Sequence, residues 1–248
     1  MNETQASFLD KPEPVAQKNI SVLPISVIDV EKHKRGNHKD GESSRAGYSA
    51  FPSEVSDLCY ELFLRDATHV FDPFAGWGDR HAKAIEHGFR YTGYDVSNKS
   101  IAKASIDHGV DNILADSLTA PIPRFDGLLT CPPYWNLELY SPDGLERAKT
   151  FDEFGGQLTR VFGRCYNAAA DGTKFCVMVG NWRKKGVYYD LSLMTKSIFK
   201  NLGAITIDCV IISRIKKTKI SIMLPQAKRL GYTVNLHEEL LVFEKVKL

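Results

Sequence analysis

From residue 69 onward the sequence alternates short apolar runs with longer segments of helical spacing, and this alternation restricts the fold more than any other feature. The runs 69–74 and 91–96 are typical of buried strands, whereas the segment 79–88 places its apolar residues on one side of a helix. Strands that alternate with helices in this way favour a mainly parallel sheet with helices on both faces. The sequence therefore predicts an α/β fold.

The predicted elements describe a single domain over 46–248, preceded by a polar N-terminal arm over 1–45 that we expect to be partly disordered. Seven strands are predicted, over 69–74, 91–96, 112–116, 125–131, 174–181, 204–213 and 237–246. Helices are predicted over 52–67, 79–88, 98–109, 152–170 and 188–203, and one further short strand within 21–30. Because no helix is predicted between the last two strands, we expect an antiparallel pair near the C-terminus.

The composition is that of an ordinary globular protein, with 43% hydrophobic and 25% charged residues. No stretch is long and apolar enough to predict a membrane span, and the first residues lack the apolar core of a signal peptide. We therefore expect a cytoplasmic protein with no membrane partner. The five cysteines are scattered and form no CxxC pair, which argues against a metal site and favours a reducing compartment.

Basic residues are concentrated in two segments, although the net charge is only +2. One segment contains Arg183, Lys184 and Lys185. The other extends over 214–229, has no acidic residue, and carries Arg214, Lys216, Lys217, Lys219, Lys228 and Arg229. Such segments are either solvated loops or a face that contacts phosphates, and both interpretations stay open at this point.

Three aspartates end three successive predicted strands, at the edge of the sheet where α/β proteins bind ligands. Asp72 leads into a turn with Gly76 and Gly78, which lets the backbone approach a ligand, and the next helix N-terminus can receive a carboxylate. Asp95 can accept hydrogen bonds from the hydroxyls of a ribose, and Asp116 can accept one from an adenine amino group. Each aspartate alone is equally consistent with a cap or a turn, but the three together favour a ligand site.

The segment 130–135 reads Thr-Cys-Pro-Pro-Tyr-Trp and follows the strand predicted over 125–131. Pro132 and Pro133 have fixed φ angles and donate no backbone hydrogen bond, so carbonyls near them can point into a cleft as acceptors. Tyr134 offers a ring on which a flat group can stack. A planar substrate that bears an amino group needs both features.

These segments resemble the motifs of the amino-group DNA methyltransferases, which act on adenine N6 or cytosine N4. The segment 72–78 resembles the family's cofactor motif DPFxGxG, and 131–135 resembles its catalytic Pro-Pro-aromatic motif. The segments 49–52 and 237–245 are also similar to family motifs, so the resemblance covers roughly residues 45–248. It implies a Rossmann-like class I methyltransferase fold, S-adenosylmethionine as cofactor and DNA as partner.

The resemblance also implies a role for each matched position. Phe51 would lie by the methionine part of the cofactor, Asp95 would hold its ribose, and Asp116 would lie near its adenine. The methionine end would be wrapped by Asp72, Pro73, Phe74, Gly76 and Gly78. The catalytic motif would comprise Cys131, Pro132, Pro133 and Tyr134, with the Pro132 carbonyl on the target amino group and Tyr134 stacked on a flipped base.

No recognition domain fits between the two motifs, so DNA contacts are expected from the segments 136–150, 181–188 and 214–235. Trp135 and the basic residues Arg183, Lys184, Lys185, Arg214, Lys216, Lys217 and Lys219 are the predicted nucleic-acid contacts. We expect a monomer or a homodimer, and a separate specificity partner would supply whatever recognition these segments lack.

One residue departs from the family pattern, because Cys131 stands where the family has Asp, Asn or Ser. A thiol is a weak acceptor, so this change costs about one hydrogen bond, roughly 0.5–1.5 kcal/mol. The remaining carbonyls, and Glu138 if it lies nearby, would compensate. A cytosine-C5 nucleophile is rejected, because in that family the cysteine follows the two prolines instead of preceding them.

Several alternatives remain open from the sequence. The same chemistry can act on RNA or on a protein amine or amide, and a degenerate fold can serve as an S-adenosylmethionine-binding interaction module. An NAD-linked oxidoreductase is disfavoured because the third glycine of the dinucleotide fingerprint is missing. The sequence does not choose between adenine and cytosine.

Overall fold

The computed structural model describes residues 20–30, 50–136, 141, 144–214 and 220–246. Its strands are β1 (Val27–Asp29), β2 (His69–Asp72), β3 (Arg90–Asp95), β4 (Ile113–Leu114), β5 (Phe125–Thr130), β6 (Ala169–Val179), β7 (Trp182–Lys184), β8 (Val187–Tyr189), β9 (Ile205–Ser213) and β10 (His237–Glu244). Its α-helices are α1 (Ser53–Leu58), α2 (Asp79–Glu86), α3 (Asn98–His108), α4 (Phe151–Ala168), α5 (Leu191–Asn201) and α6 (Ile220–Leu230).

Eight strands form one sheet in the order β1-β9-β10-β6-β5-β2-β3-β4. All neighbours pair in parallel except β10, which runs antiparallel to both β6 and β9. The mainly parallel sheet with an antiparallel strand near the C-terminus is therefore confirmed. The eighth strand is the short one predicted within 21–30, and it extends the edge by pairing with β9.

The connection between β9 and β10 was predicted wrongly. Helix α6 lies between these strands, within a segment expected to be a basic loop. Its sequence conceals the helix because Pro225 lies inside it and its apolar residues, such as Ile222 and Met223, face solvent instead of a core. The basic segment 181–188 also differs from a simple loop, since β7 and β8 form a two-stranded antiparallel hairpin.

The helix predicted over 52–67 begins as α1 and continues as one wider π-helical turn over Cys59–Phe63. Ser53 is the first residue of this helix, and Pro52 occupies the N-cap position. The predicted ends of the next two helices are confirmed, because Gly88 lies two residues after α2, Gly109 directly follows α3, and both adopt positive φ. Glycine at these positions permits the left-handed conformation that stops a helix.

The central strands are buried on both faces, which explains why they read as continuous apolar runs. Neighbouring residues point to opposite sides: Phe71 and Leu128 pack beneath α4 and α5, whereas Val70 and Leu129 pack beneath α1 and α2. Two apolar clusters therefore sandwich the sheet, and its central strand ends are held rigidly. Among the helices of the described ranges, none combines the length and apolarity needed to cross a bilayer.

Gly78 has a packing requirement that Gly88 lacks. Gly78 precedes α2 with φ +91°, and a Cβ there would lie 2.8 Å from the Val110 side chain and 2.9 Å from Ala104. Gly88 has φ +77°, but a Cβ there would meet nothing within 4 Å.

We expect Gly88→Ala to lower the free energy of unfolding by about 1 kcal/mol, the cost of a left-handed alanine. Gly78→Ala should lower the free energy of unfolding by roughly 1–3 kcal/mol more, because its methyl group also overpacks against α3. Urea titration of both variants measures the difference. Equal losses would show that the close contact with Val110 and Ala104 relaxes freely.

Candidate active site

A cleft of about 1070 Å³, a volume that includes open solvent at its mouth, lies beyond the carboxyl ends of the central strands. The chain leaves β2 toward β3 on one side and reaches β5 on the other, which is the switch point where α/β sheets bind ligands. The turn that follows β2 and the Pro132–Pro133 corner that follows β5 both line this cleft. The two motifs found in the sequence therefore face one another.

Asp72 does not line the cleft, contrary to its predicted role as a cofactor contact. Its side chain is fully buried, and four donors share its two oxygens. Oδ1 accepts from the Phe74 N–H (3.0 Å) and the Thr130 hydroxyl (2.5 Å), whereas Oδ2 accepts from Arg80 Nε (2.7 Å) and the Tyr91 hydroxyl (2.6 Å). Asp72 thus ties β2, β3, β5 and α2 together beneath the site.

Arg80 extends the hydrogen bonds of the Asp72 carboxylate to the wall of the cleft. Its guanidinium also donates to the Phe74 carbonyl (2.6 Å) and lies 4.8 Å from the centre of the Phe51 ring. Burial disfavours its charge, but the Asp72 carboxylate more than offsets this and raises the pKa of Arg80 above its usual range. The cleft therefore has a permanent positive charge beside Phe51, which also lines it.

The two glycines of the turn serve different purposes. Gly76 lines the cleft with φ +58°, its Cβ direction is nearly open, and its N–H donates to Asp95 Oδ2 (2.9 Å). Gly78 lies outside the cleft and is required for packing against α3, so its predicted cofactor contact is not supported by its position. Pro73 and Phe74 both line the cleft.

Asp95 and Asp116 fit both interpretations that the sequence left open, that of a turn residue and that of a residue at a ligand site. Asp95 Oδ1 accepts from the Ser97 N–H (2.8 Å), and Asp116 Oδ1 accepts from the Leu118 N–H (2.8 Å), so both close local turns. Both also line the cleft. Burial raises the pKa of Asp95, although its bonds from Ser97 and Gly76 oppose that shift.

The segment predicted to be catalytic, called the catalytic corner below, places Cys131, Pro132, Pro133 and Tyr134 along the other side of the cleft. The Tyr134 hydroxyl donates to Glu238 Oε1 (2.7 Å), and its ring stacks on Trp182 with centroids 5.9 Å apart. Burial raises the pKa of Cys131 to about 12, so this residue remains a thiol at neutral pH. A thiol with this pKa is a poor nucleophile, in agreement with the rejection of a cytosine-C5 mechanism.

Trp135 was predicted to contact nucleic acid, and its position contradicts this. The indole is only 9% exposed, and its Nε1–H donates to the Ala148 carbonyl (2.7 Å). It packs against Phe151 and Tyr189. Trp135 is therefore a core residue that anchors the catalytic corner from below.

Two charged residues of the cleft, Glu238 and Glu146, were missed among the sequence candidates, and Arg214 was assigned to DNA contact. Arg214 lines the cleft and forms an ion pair with Glu238, near the start of β10. Glu146 is buried, lines the cleft and accepts from the Ser141 N–H (3.0 Å). The closing motif at 237–245 was the available signal for Glu238, but it was read only as a strand.

The basic hairpin formed by β7 and β8 projects Arg183 and Lys185 into solvent. The Arg183 guanidinium lies over two rings, 4.8 Å from the centre of Tyr188 and 5.0 Å from that of Tyr232. Lys184 instead donates to the Asn136 carbonyl. The predicted contacts Lys216, Lys217 and Lys219, and the compensating residue Glu138, lie outside the described residues.

Within the ranges that the structure describes, no group of three His, Cys, Asp or Glu side chains is arranged to hold a metal ion. No protein-family model matches the sequence, and no curated protein is similar to it in sequence. The similarity that exists is to solved structures at low sequence identity.

Three solved structures illustrate that similarity. TrmN from Thermus thermophilus superposes with a TM-score of 0.52 at 14% identity, over 82% of this chain and 53% of TrmN, so the chain spans about half of that protein. The [4+2]-cyclase SpnF gives a TM-score of 0.54 at 15% identity, over 83% of this chain and 86% of SpnF. The magnesium protoporphyrin IX methyltransferase of Synechocystis, solved with bound SAM, gives 0.51 at 10% identity, over 82% of this chain and 88% of that enzyme.

At these identities the similarity concerns the fold alone, and the fold is the Rossmann-like methyltransferase fold implied by the sequence motifs. A cyclase shares it, so the reaction has to be argued from the site.

The raised pKa of Cys131 predicts its reactivity. At pH 8 its thiolate fraction is about a thousandfold below that of an ordinary thiol, so we expect alkylation by iodoacetamide at least about a hundredfold slower than in the urea-unfolded chain. The rate should also keep rising through pH 10, where an ordinary thiol has levelled off. Peptide mass spectrometry measures both rates, and a plateau near pH 8.5 would contradict the raised pKa.

Proposed function

We propose that this protein transfers a methyl group from S-adenosylmethionine to an exocyclic amino nitrogen of a base in DNA, either adenine N6 or cytosine N4. The observation that carries the proposal is the single cleft between the Gly76–Asp95 side and the Pro132–Tyr134 corner. A donor held on one side and a planar amine held on the other would meet in it. The motif resemblance supports DNA as the substrate.

The residues of one wall fit S-adenosylmethionine. Asp95 presents a largely desolvated carboxylate where a ribose needs an acceptor, and the open Cβ side of Gly76 lets a ligand approach the backbone. Asp116 lines the cleft farther along, and Arg80 supplies a positive charge suited to the carboxylate of a methionine end. When bound, the cofactor supplies a methyl carbon on a sulfonium, whose bond to sulfur breaks as the bond to nitrogen forms.

The residues of the other wall fit a flat amine. Pro132 and Pro133 have no N–H, so their backbone brings only acceptors to the corner. Tyr134 is fixed by its hydrogen bond to Glu238 and by stacking on Trp182, so its ring is already oriented before a base arrives. Such preorganisation lowers the cost of aligning a weak nucleophile, which is the main task in this reaction.

The basic hairpin fits the polyanionic part of the same substrate. Extruding a base requires the backbone to be held near the mouth of the cleft, and β7 follows directly from β6, whose end lies beside Tyr134. Arg183 and Lys185 are exposed there, and the stacked Tyr188 and Tyr232 stiffen the Arg183 side chain. Phosphate contacts from this hairpin would position a nucleic acid without reading its sequence.

We expect purified protein given methyl-labelled S-adenosylmethionine and separate pools of DNA, RNA and protein to label DNA. Mass spectrometry of the digested DNA should then find N6-methyladenine or N4-methylcytosine. Asp95→Ala should lose both the label and the calorimetric binding of the cofactor. If only the RNA or only the protein pool is labelled, that polymer and not DNA is the substrate. If the wild-type protein binds no cofactor, a non-enzymatic interaction module is favoured.

Tyr134→Ala should lower turnover about tenfold to a hundredfold, because one stacking contact with a base is worth roughly 1–3 kcal/mol. Its affinity for S-adenosylmethionine should be unchanged, since the predicted cofactor contacts lie on the other wall. Single-turnover kinetics and calorimetry separate the two effects. A simultaneous loss of cofactor affinity would indicate that Tyr134 contacts the cofactor, contrary to its proposed place beside the base.

Replacing both Arg183 and Lys185 by Ser should weaken DNA binding and flatten its salt dependence. Each lost phosphate contact lowers the slope of log K against log salt by about 0.9 for a duplex. Fluorescence anisotropy over a range of salt measures the slope. Lys200→Ser is a matched control, because this exposed lysine lies near the end of α5, just before the start of β9 and away from the hairpin. A double variant with the control's slope would exclude the hairpin from the interface.

A further inference from the structure

Glu238 is a carboxylate of the cleft to which the sequence motifs assign no role. It lies near the start of β10, its side chain is 12% exposed, and it lines the cleft together with Cys131 and Tyr134. Gly180 at the end of β6 makes room for it, since a Cβ there would lie 3.1 Å from Glu238 Cγ and 3.2 Å from the Tyr134 hydroxyl. The carboxylate is therefore held close to the catalytic corner by the packing of the sheet.

Glu238 shares one part of the cleft with the position that departs from the family pattern. The Tyr134 hydroxyl donates to Glu238 Oε1, and Cys131 precedes Tyr134 by three residues in the segment that lines the same cleft. Glu238 and Tyr134 both influence the pKa of the Cys131 thiol, which places the carboxylate close to Cys131. Because Cys131 is a desolvated thiol, it offers a target amino group little as an acceptor.

Glu238 has acceptor capacity beyond its bonds within the protein. A carboxylate can accept about four hydrogen bonds. Oε1 accepts from Tyr134, and Oε2 accepts from the Arg214 guanidinium. The ion pair with Arg214 holds the carboxylate in place, while its exposed part faces the cleft.

We propose that the Glu238 carboxylate accepts an N–H of the target amino group, and so provides the oxygen acceptor that Cys131 cannot. This rests on the proposed methyl transfer to an amino group. As the nitrogen forms its bond to carbon it becomes positively charged and acidic. Its surplus proton then passes along the hydrogen bond to Glu238, which releases it to solvent through the open mouth.

The proposal predicts that removing the Glu238 carboxylate lowers kcat and that a suitable second substitution at Cys131 restores it. Glu238→Ala should lower kcat roughly tenfold to a hundredfold, the equivalent of one hydrogen bond to a charged group, with the affinity for S-adenosylmethionine unchanged. Adding Cys131→Asn should restore much of the loss, whereas adding Cys131→Ala should not. Glu238→Gln, which retains one acceptor oxygen and its bond from Tyr134, should keep more activity than Glu238→Ala and guards against a folding defect.

The matched control is Glu239→Ala. Glu239 is the neighbouring carboxylate of the same strand, but it points to the opposite face, where it pairs with Lys196 (2.7 Å) and Cys209 (3.3 Å). Its removal should leave kcat unchanged. Equal kcat values for Glu238→Ala and Glu239→Ala would overturn the inference while leaving the proposed function intact.

A purely positioning role, in which Glu238 acts only through Tyr134, gives a different pattern. In that case Tyr134→Phe would lose as much kcat as Glu238→Ala, and Cys131→Asn would restore nothing. The inference expects Tyr134→Phe to lose less, because the ring and the Glu238 acceptor both remain. A wild-type protein that labels neither DNA nor RNA would overturn the proposed function and this inference with it.

Discussion

The buried Asp72 carboxylate is the interaction on which the geometry of the cleft depends. A charge without water is costly unless every lone pair finds a donor, and Asp72 meets that condition with donors from the turn after β2, from α2, from β3 and from β5. Because these donors come from separate segments, the charge can be satisfied only when the strand ends have converged. Breaking such a buried pair from one side typically costs about 3–5 kcal/mol.

The distribution of charge around the cleft suits a cationic ligand inside and an anionic one outside. Its lining includes carboxylates on both walls, Asp79, Asp95, Asp116, Glu146 and Glu238, whereas its two arginines are each held by a carboxylate. Such a lining favours a positively charged sulfonium over a phosphate. Arg183 and Lys185 of the hairpin, by contrast, are exposed outside the cleft.

The sequence was sufficient for the sheet and for the two corners of the site, because both depend on local patterns. Continuous apolar runs specify β2 and β5, and the glycines and prolines that follow them specify turns. It was insufficient where residues distant in the chain meet. Asp72 and Asp95 look alike as strand-end aspartates, but the donors from α2, β3 and β5 bury the first and leave the second in the cleft. Helix α6 was missed because Pro225 lies within it and its exposed apolar residues mark no buried face.

The hairpin of β7 and β8 is continuous with the catalytic corner through aromatic contacts. Tyr134 stacks on Trp182, Trp182 on Tyr189, and Tyr189 packs against Trp135. The segment suited to holding a polymer and the ring suited to holding its base are thus parts of one rigid body. Exchanging the whole hairpin would therefore also remove the aromatic contacts that hold Tyr134, so under the proposed function a change of substrate would have to come from substitutions that preserve the inner aromatic face of the hairpin.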